Sequence, residues 1–167
     1  IHYHVNIVQG RDRMAVRLKV ITKLQQGRNA VNRAIMEPLK LLTDLVFGGV
    51  LERFPKLRVV LAEYDLSWLH PFLSKMDGTL QRARSEAPDS PTVALLPSEV
   101  IRRQVSITFQ DDRIGVLGTD VFNMADNYMW ASDYPHGGST WPRSREVVET
   151  QFAGVAPEIQ QKLIWNN

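Results

Sequence analysis

The sequence predicts an α/β fold with a parallel sheet, organised as half of a (β/α)8 TIM barrel. Three observations lead there. Four short runs with strand character alternate with longer runs of helical periodicity, the pattern of parallel strands joined by right-handed crossovers. Four βα units are half of an eight-unit barrel. The alternative, a small doubly wound sheet, usually carries a glycine-rich phosphate loop behind a strand. Gly48-Gly49 lies inside a helical stripe and Gly137-Gly138 has no helix directly behind it, so neither supplies G-x-G-x-x-G. Pattern alone therefore prefers the barrel and leaves the doubly wound sheet as the competing reading.

Each element has its own signal. Residues 1–8 (IHYHVNIV) alternate as a strand does and contain no helix breaker. Residues 29–53 carry Leu39, Leu42, Val46 and Val50 at spacings of three and four, one apolar stripe of a helix that Pro38 starts or kinks. Residues 57–62 (LRVVLA) follow Pro55 and are rich in β-branched side chains, a second strand. From Trp68 to Arg84, Leu69, Phe72, Leu73, Met76 and Leu80 share one helical face. Residues 85–97 hold three prolines and read as a surface loop. In 104–109, Val105, Ile107 and Phe109 alternate with polar neighbours, a third strand, and 128–131 (YMWA) is a short fourth. Shorter helices are expected at 111–122, 144–153 and 157–165, the last opening on Pro157 at a plausible first helical position.

Composition sets the outer limits. The 167 residues suffice for one domain with a substantial core, read here as residues 1–167 in a single unit. No apolar run reaches the roughly 18 residues of a membrane span, and residues 1–10 lack the charged-then-apolar pattern of a signal peptide. Net charge is only +2, and the local basic stretch of Arg11, Arg13, Arg17 and Lys19 lacks interleaved aromatics. It reads as a solvated helix face, so no nucleic-acid or membrane partner is expected. The absence of cysteine removes disulfides, zinc-thiolate sites and a cysteine nucleophile, and fits a cytoplasmic setting. The chain opens at Ile1 inside a strand and closes on residues 162–167 inside a helix. That leads to the expectation of a piece of a longer protein. A half-barrel by itself would expose strand edges and an apolar face, which favours pairing, so a homo-oligomer or a longer chain is expected.

The chemistry-bearing residues gather at strand ends. Asp133 lies just past the fourth strand, Glu63 ends the second, and His2 and His4 lie on the first. Side chains alternate along a strand, so His2, His4 and Asn6 share a face. In a parallel barrel the C-terminal ends of all strands open onto one mouth, where active sites form. Imidazole and carboxylate from three strands would converge there, a ligand set suited to zinc, iron or manganese. Singly, each signal has a plainer reading: two satisfied polar side chains for His2 and His4, and a turn residue or helix cap for Asp133. His70 sits within a helix and reads as structural, while Tyr64 and Asp65 read as the start of the following helix.

Longer motifs tip that balance. Residues 45–63 (LVFGGVLERFPKLRVVLAE) resemble the centre of the amidohydrolase-related family, which includes aminocarboxymuconate-semialdehyde decarboxylase, resorcylate decarboxylases and related hydrolases. Pro97-Ser-Glu99, Phe109-Gln-Asp-Asp112, the run Trp130 to His136 (WASDYPH), Ser139-Thr-Trp-Pro142 and Ser144-Arg-Glu-Val147 continue the likeness. It covers nearly all of residues 1–7 and 39–167, while 8–38 match poorly.

The resemblance implies a fuller assignment. It makes this chain strands five to eight of the barrel, with His4 the fifth-strand metal ligand and Asp133 the eighth-strand carboxylate, also placed for proton exchange. The family's first-strand His-x-His pair is not in this sequence. Glu63 stands where the decarboxylases place a histidine at the end of strand six, and becomes the acid/base or orienting group. His2 and His136 become second contacts, to a metal ligand or to substrate. The cofactor implied is a divalent metal, zinc first and manganese or iron otherwise, and the partner is a small-molecule substrate. An ionised Glu63 would repel a substrate carboxylate, so hydrolysis of an ester, lactone or amide is preferred over the non-oxidative decarboxylation of an aromatic or unsaturated acid to which the resemblance also points. A half-barrel without metal is the non-enzyme reading.

Overall fold

The computed structural model describes residues 2–3, 23–89 and 93–167, with side chains from Asn29 onward. Four parallel strands form one sheet: β1 (His2–Tyr3), β2 (Val59–Leu61), β3 (Val105–Phe109) and β4 (Tyr128–Trp130). Their spatial order is β1-β2-β3-β4, the order of the chain itself. A doubly wound sheet reverses direction at a switch point. These strands advance one way throughout, as the wall of a barrel does, and that removes the competing architecture among the described strands.

Alternation along the strands fixes which side is the core. Val59, Leu61, Val105, Ile107 and Phe109 are buried, whereas Val60, Ser106 and Thr108 are only half-buried. The buried set joins one cluster with Leu42 and Val46 of α1 (Lys23–Phe47), Leu51 of α2 (Val50–Arg53), and Leu69, Leu73 and Met76 of α3 (Leu69–Glu86). Burying a Leu or Val side chain contributes about 1.5–3 kcal/mol, which is why the helices settle on that face. The other face carries the polar residues of β3.

Helix boundaries depart from the sequence reading at three places. The stripe over 29–53 is two helices, because Gly49 adopts a left-handed φ of 68° that ends α1 and starts α2. Glycine takes that conformation without the steric penalty of a Cβ, so a doublet inside an apolar period is a break. Pro38 is inside α1, neither its start nor its end. The segment read as a loop up to 97 leads into a helix that the sequence reading lacked, α4 (Pro97–Gln104). It has Pro97 in its first turn, and its start is tied by Leu96 N–H donating to Glu99 at 2.8 Å and Ser98 N–H donating to Asp77 at 2.9 Å. Two turns are too short for a periodicity to declare itself.

Two of the remaining helices, those expected at 111–122 and 144–153, are shorter than expected. The 111–122 stretch holds α5 (Arg113–Leu117), capped by Asp112, whose side chain accepts the Gly115 N–H at 2.9 Å. Then come α6 (Ser144–Gln151), α7 (Pro157–Gln161) and a π-helical turn at Lys162–Asn166 that packs on β4. His70 is buried and structural, as its helical position suggested. Its Nε2 lies 2.8 Å from the Tyr128 hydroxyl, and its ring stacks on Phe122 at 4.4 Å.

Candidate active site at the strand ends

Because the strands are parallel and in chain order, the segments following β2, β3 and β4 lie side by side along one edge. Three residues there have left-handed backbone without being glycine: Glu63 (φ 67°), Asp65 (φ 55°) and Asp133 (φ 59°). Such conformations cost on the order of 1 kcal/mol or more and persist where surrounding bonds impose them. Those bonds are present. Glu63 N–H donates to the Thr108 hydroxyl at 2.7 Å, and Gln110 N–H donates to the Asp65 carboxylate at 3.2 Å. The Gln110 carbonyl in turn accepts from the Trp130 indole at 2.9 Å and the Gln151 amide at 3.0 Å. β2, β3, β4 and α6 are thereby laced together at their ends.

The segment after β4 is tied to itself. Thr140 N–H and the Ser139 hydroxyl both donate to the Ser132 carbonyl, at 3.0 and 2.8 Å. His136 N–H donates to the Asp133 carbonyl at 2.9 Å, closing a turn that brings the two side chains together. His136 Nδ1 lies 2.6 Å from Asp133 Oδ1 and 4.0 Å from Glu63 Oε1. His136 and Asp133 are hydrogen-bonded at that separation, and in the tautomer with the proton on Nδ1 the other ring nitrogen, Nε2, is the one left to accept or to ligate. The Asp133 carboxylate is the sheltered member, with 11% of its side chain exposed against 40% for Glu63 and 64% for His136.

These three side chains pass a geometric test as cation donors. One ligand atom from each lies within 4.8 Å of the other two. Tetrahedral coordination at the usual zinc–nitrogen and zinc–oxygen distances separates donors by about 3.4 Å. The separations of 2.6 and 4.0 Å, both from His136 Nδ1, fall on either side of that value, and coordination through that nitrogen would replace its hydrogen bond to Asp133 and put the ring proton on Nε2. Two carboxylates facing one imidazole also supply negative charge that a divalent cation neutralises. Asp65 adds a carboxyl of different character on the same edge. Although the residue presents surface to solvent, desolvation of its carboxyl pushes its pKa above the usual range. The charges of Asp112 and Asp111 act in the same direction, and the Gln110 N–H opposes them.

Three of the residues singled out from sequence, Glu63, Asp133 and His136, are therefore brought together. His2 is described by its backbone, which pairs with Val60. His4 lies outside the described residues. Sequence reasoning treated Thr108 as one more polar neighbour in an alternating strand. Its signal was the polar set Ser106, Thr108 and Gln110 itself, since strands of a parallel sheet covered on both faces read as nearly continuous apolar runs.

A model of the amidohydrolase family matches residues 12–167. This chain belongs to that family. Among solved structures it is similar to a 5-carboxyvanillate decarboxylase from Sphingomonas paucimobilis, at 21% identity and a TM-score of 0.57. That match covers 86% of this chain and 38% of the decarboxylase. An amidohydrolase from Mycobacterium avium subsp. paratuberculosis is similar at 22% identity and a TM-score of 0.56, over 73% of this chain and 29% of its own. This chain thus spans about a third of the length of each, and at these identities the likeness is one of fold. No curated protein matches it. No described helix is long and apolar enough to cross a membrane.

Proposed function

We propose that this chain supplies strands five to eight of a metal-dependent hydrolase of the amidohydrolase family, acting on a small ester, lactone or amide. The observation that carries the reading is the carboxylate of Glu63 at the end of β2, 4.0 Å from His136, which is itself bonded to Asp133. Asp133, with His4 from the first strand, would hold the cation. A divalent ion, zinc foremost, supplies Lewis acidity toward a carbonyl oxygen and acidifies its water ligand. Glu63 takes a proton from the attacking water and returns it to the leaving group, both steps of general acid/base catalysis. His136, oriented through Nδ1 by Asp133, presents Nε2 to the substrate's polar end.

Decarboxylation is the second reading, supported by the fold likeness to the 5-carboxyvanillate enzyme. It asks for a proton delivered to carbon and for a site that accepts a substrate carboxylate. A second carboxylate at the mouth opposes that requirement.

Product analysis separates the two. The intact protein, loaded with zinc, is incubated with aryl esters, lactones, amides and aromatic acids. Hydrolytic turnover is expected, with Glu63→Gln lowering kcat by on the order of 10²–10⁴ at unchanged metal content. Release of carbon dioxide, undiminished in Glu63→Gln, would overturn both the reaction and the residue's role.

A further inference from the structure

We infer that Thr108 is a positioning residue for Glu63, an inference that rests on the acid/base role proposed above. β2 and β3 pair in register through Leu61 and Ile107, and beyond that point the regular ladder ends. The next inter-strand bond in this corner comes from a side chain: the Thr108 hydroxyl accepts the Glu63 N–H at 2.7 Å, across 45 residues of sequence. It does so where Glu63 is turned into the left-handed region, at φ 67°. A carbonyl partner would hold Glu63 as one more residue of the strand. A hydroxyl stands off the strand by the length of a side chain, so the N–H can rotate toward it while the carboxylate swings to the His136 side. β-branching restricts the Thr108 χ1 angle, which fixes the acceptor in place.

The bond thus sets the direction from which Glu63 leaves the sheet. A carboxylate misplaced by about 1 Å loses on the order of 10²-fold in rate, so loosening this anchor acts on the chemical step. Glu63 itself is exposed, and its freed N–H can turn to water. Removing the hydroxyl therefore leaves the fold intact.

The test uses Thr108→Val, which keeps the shape and removes the acceptor, and Thr108→Ser, which restores it, in the intact zinc-loaded protein. Backbone amide exchange is read at Glu63, and turnover is read with p-nitrophenyl acetate and dihydrocoumarin. Thr108→Val should speed Glu63 amide exchange about 3–10-fold, the factor that one ordinary hydrogen bond represents. It should lower kcat about 10–100-fold with KM and zinc content nearly unchanged, and Thr108→Ser should recover most of that loss. In a Glu63→Gln background the valine substitution should cost nothing further, because two residues acting through one group are not additive. Unchanged Glu63 amide exchange in Thr108→Val, or a full additional rate loss on top of Glu63→Gln, overturns the inference. Should the wild type turn over neither probe, the hydrolytic reading fails, and amide exchange alone decides for or against the Thr108 anchor.

Discussion

Asp112 offers the sharpest test of how this edge is held. Its side chain is buried, at 8% exposure, and accepts three backbone N–H groups. One oxygen takes Leu66 and Ser67 at 2.7 and 2.6 Å, and the other takes Gly115 at 2.9 Å. It thus clamps the connection between β2 and α3 onto the first turn of α5. Asp112→Asn preserves the shape and turns one acceptor into a donor. With the amide nitrogen toward Gly115, two bonds survive as neutral ones and the third becomes a donor facing a donor. Bonds to a charged acceptor contribute about 1.5–3 kcal/mol each and neutral ones about 0.5–1.5, so the two survivors lose roughly 1 kcal/mol apiece. The third loses about 1.5–3 kcal/mol, and the relief of no longer burying a charge offsets part of the total. The expected net loss is about 3 kcal/mol, with Asp112→Ala costing more. Urea unfolding of the intact protein by circular dichroism measures it as a lower midpoint at constant slope. An asparagine variant within about 0.5 kcal/mol of wild type would refute the clamp, since that is the range of substitutions that touch nothing.

Four other outcomes follow from the same geometry. Burial lowers the pKa of His70, partly opposed by Asp112, so the unfolded chain binds more protons below its ordinary value of about 6.5. Stability is then full above that pH and falls as pH drops through the window beneath it. His70→Phe should flatten this slope in unfolding measured from pH 7.5 to 5, and an unchanged slope would count against His70 as its source. At Gly118, a Cβ would lie 2.4 Å from His70 Cε1, and stacking on Phe122 blocks the ring's retreat, so Gly118→Ala should cost about 1–3 kcal/mol. Gly78 in α3 has nothing within 4 Å of an added Cβ, so Gly78→Ala should stabilise by about 0.5–1 kcal/mol in the same urea unfolding. Asp133→Asn should lower the zinc retained by the intact protein after dialysis, read by elemental analysis, and full retention would remove Asp133 from the ligand set.

What the sequence disclosed and what it hid have physical reasons. The strands declared themselves because Val105, Ile107 and Phe109 need burial every second residue, a constraint written locally. Glu63, Asp133 and His136 were legible as residue types at strand ends, where a parallel sheet collects function. Their meeting depends on left-handed turns at Glu63 and Asp133, which glutamate and aspartate do not advertise as glycine would. The break at Gly49 was advertised, and the surrounding apolar stripe masked it. Asp112 and Thr108 were harder, because each earns its place through partners 45 or 46 residues away. No local pattern encodes such a pairing.

The hydrolytic preference comes down to a count of charge. Asp133 and Glu63 place two carboxylates within reach of one imidazole. A divalent cation among them brings the cluster near neutrality, and a neutral carbonyl substrate then meets no net repulsion. Exchange Glu63 for a histidine, as the resemblance gives for the decarboxylases, and the same cation leaves a surplus positive charge that attracts an anionic carboxylate. At about 4 Å and an effective dielectric near 20, one unit charge shifts an interaction by up to about 4 kcal/mol, and the exposure of Glu63 screens it to a fraction of that. Even a quarter of that value is about a fivefold preference between a neutral and an anionic ligand. The Thr108 bond then matters for more than geometry. On the proposed reading, by holding Glu63 toward His136 it would keep that negative charge beside the substrate. Reaction class and backbone conformation would in this way be linked through one residue at the end of β2.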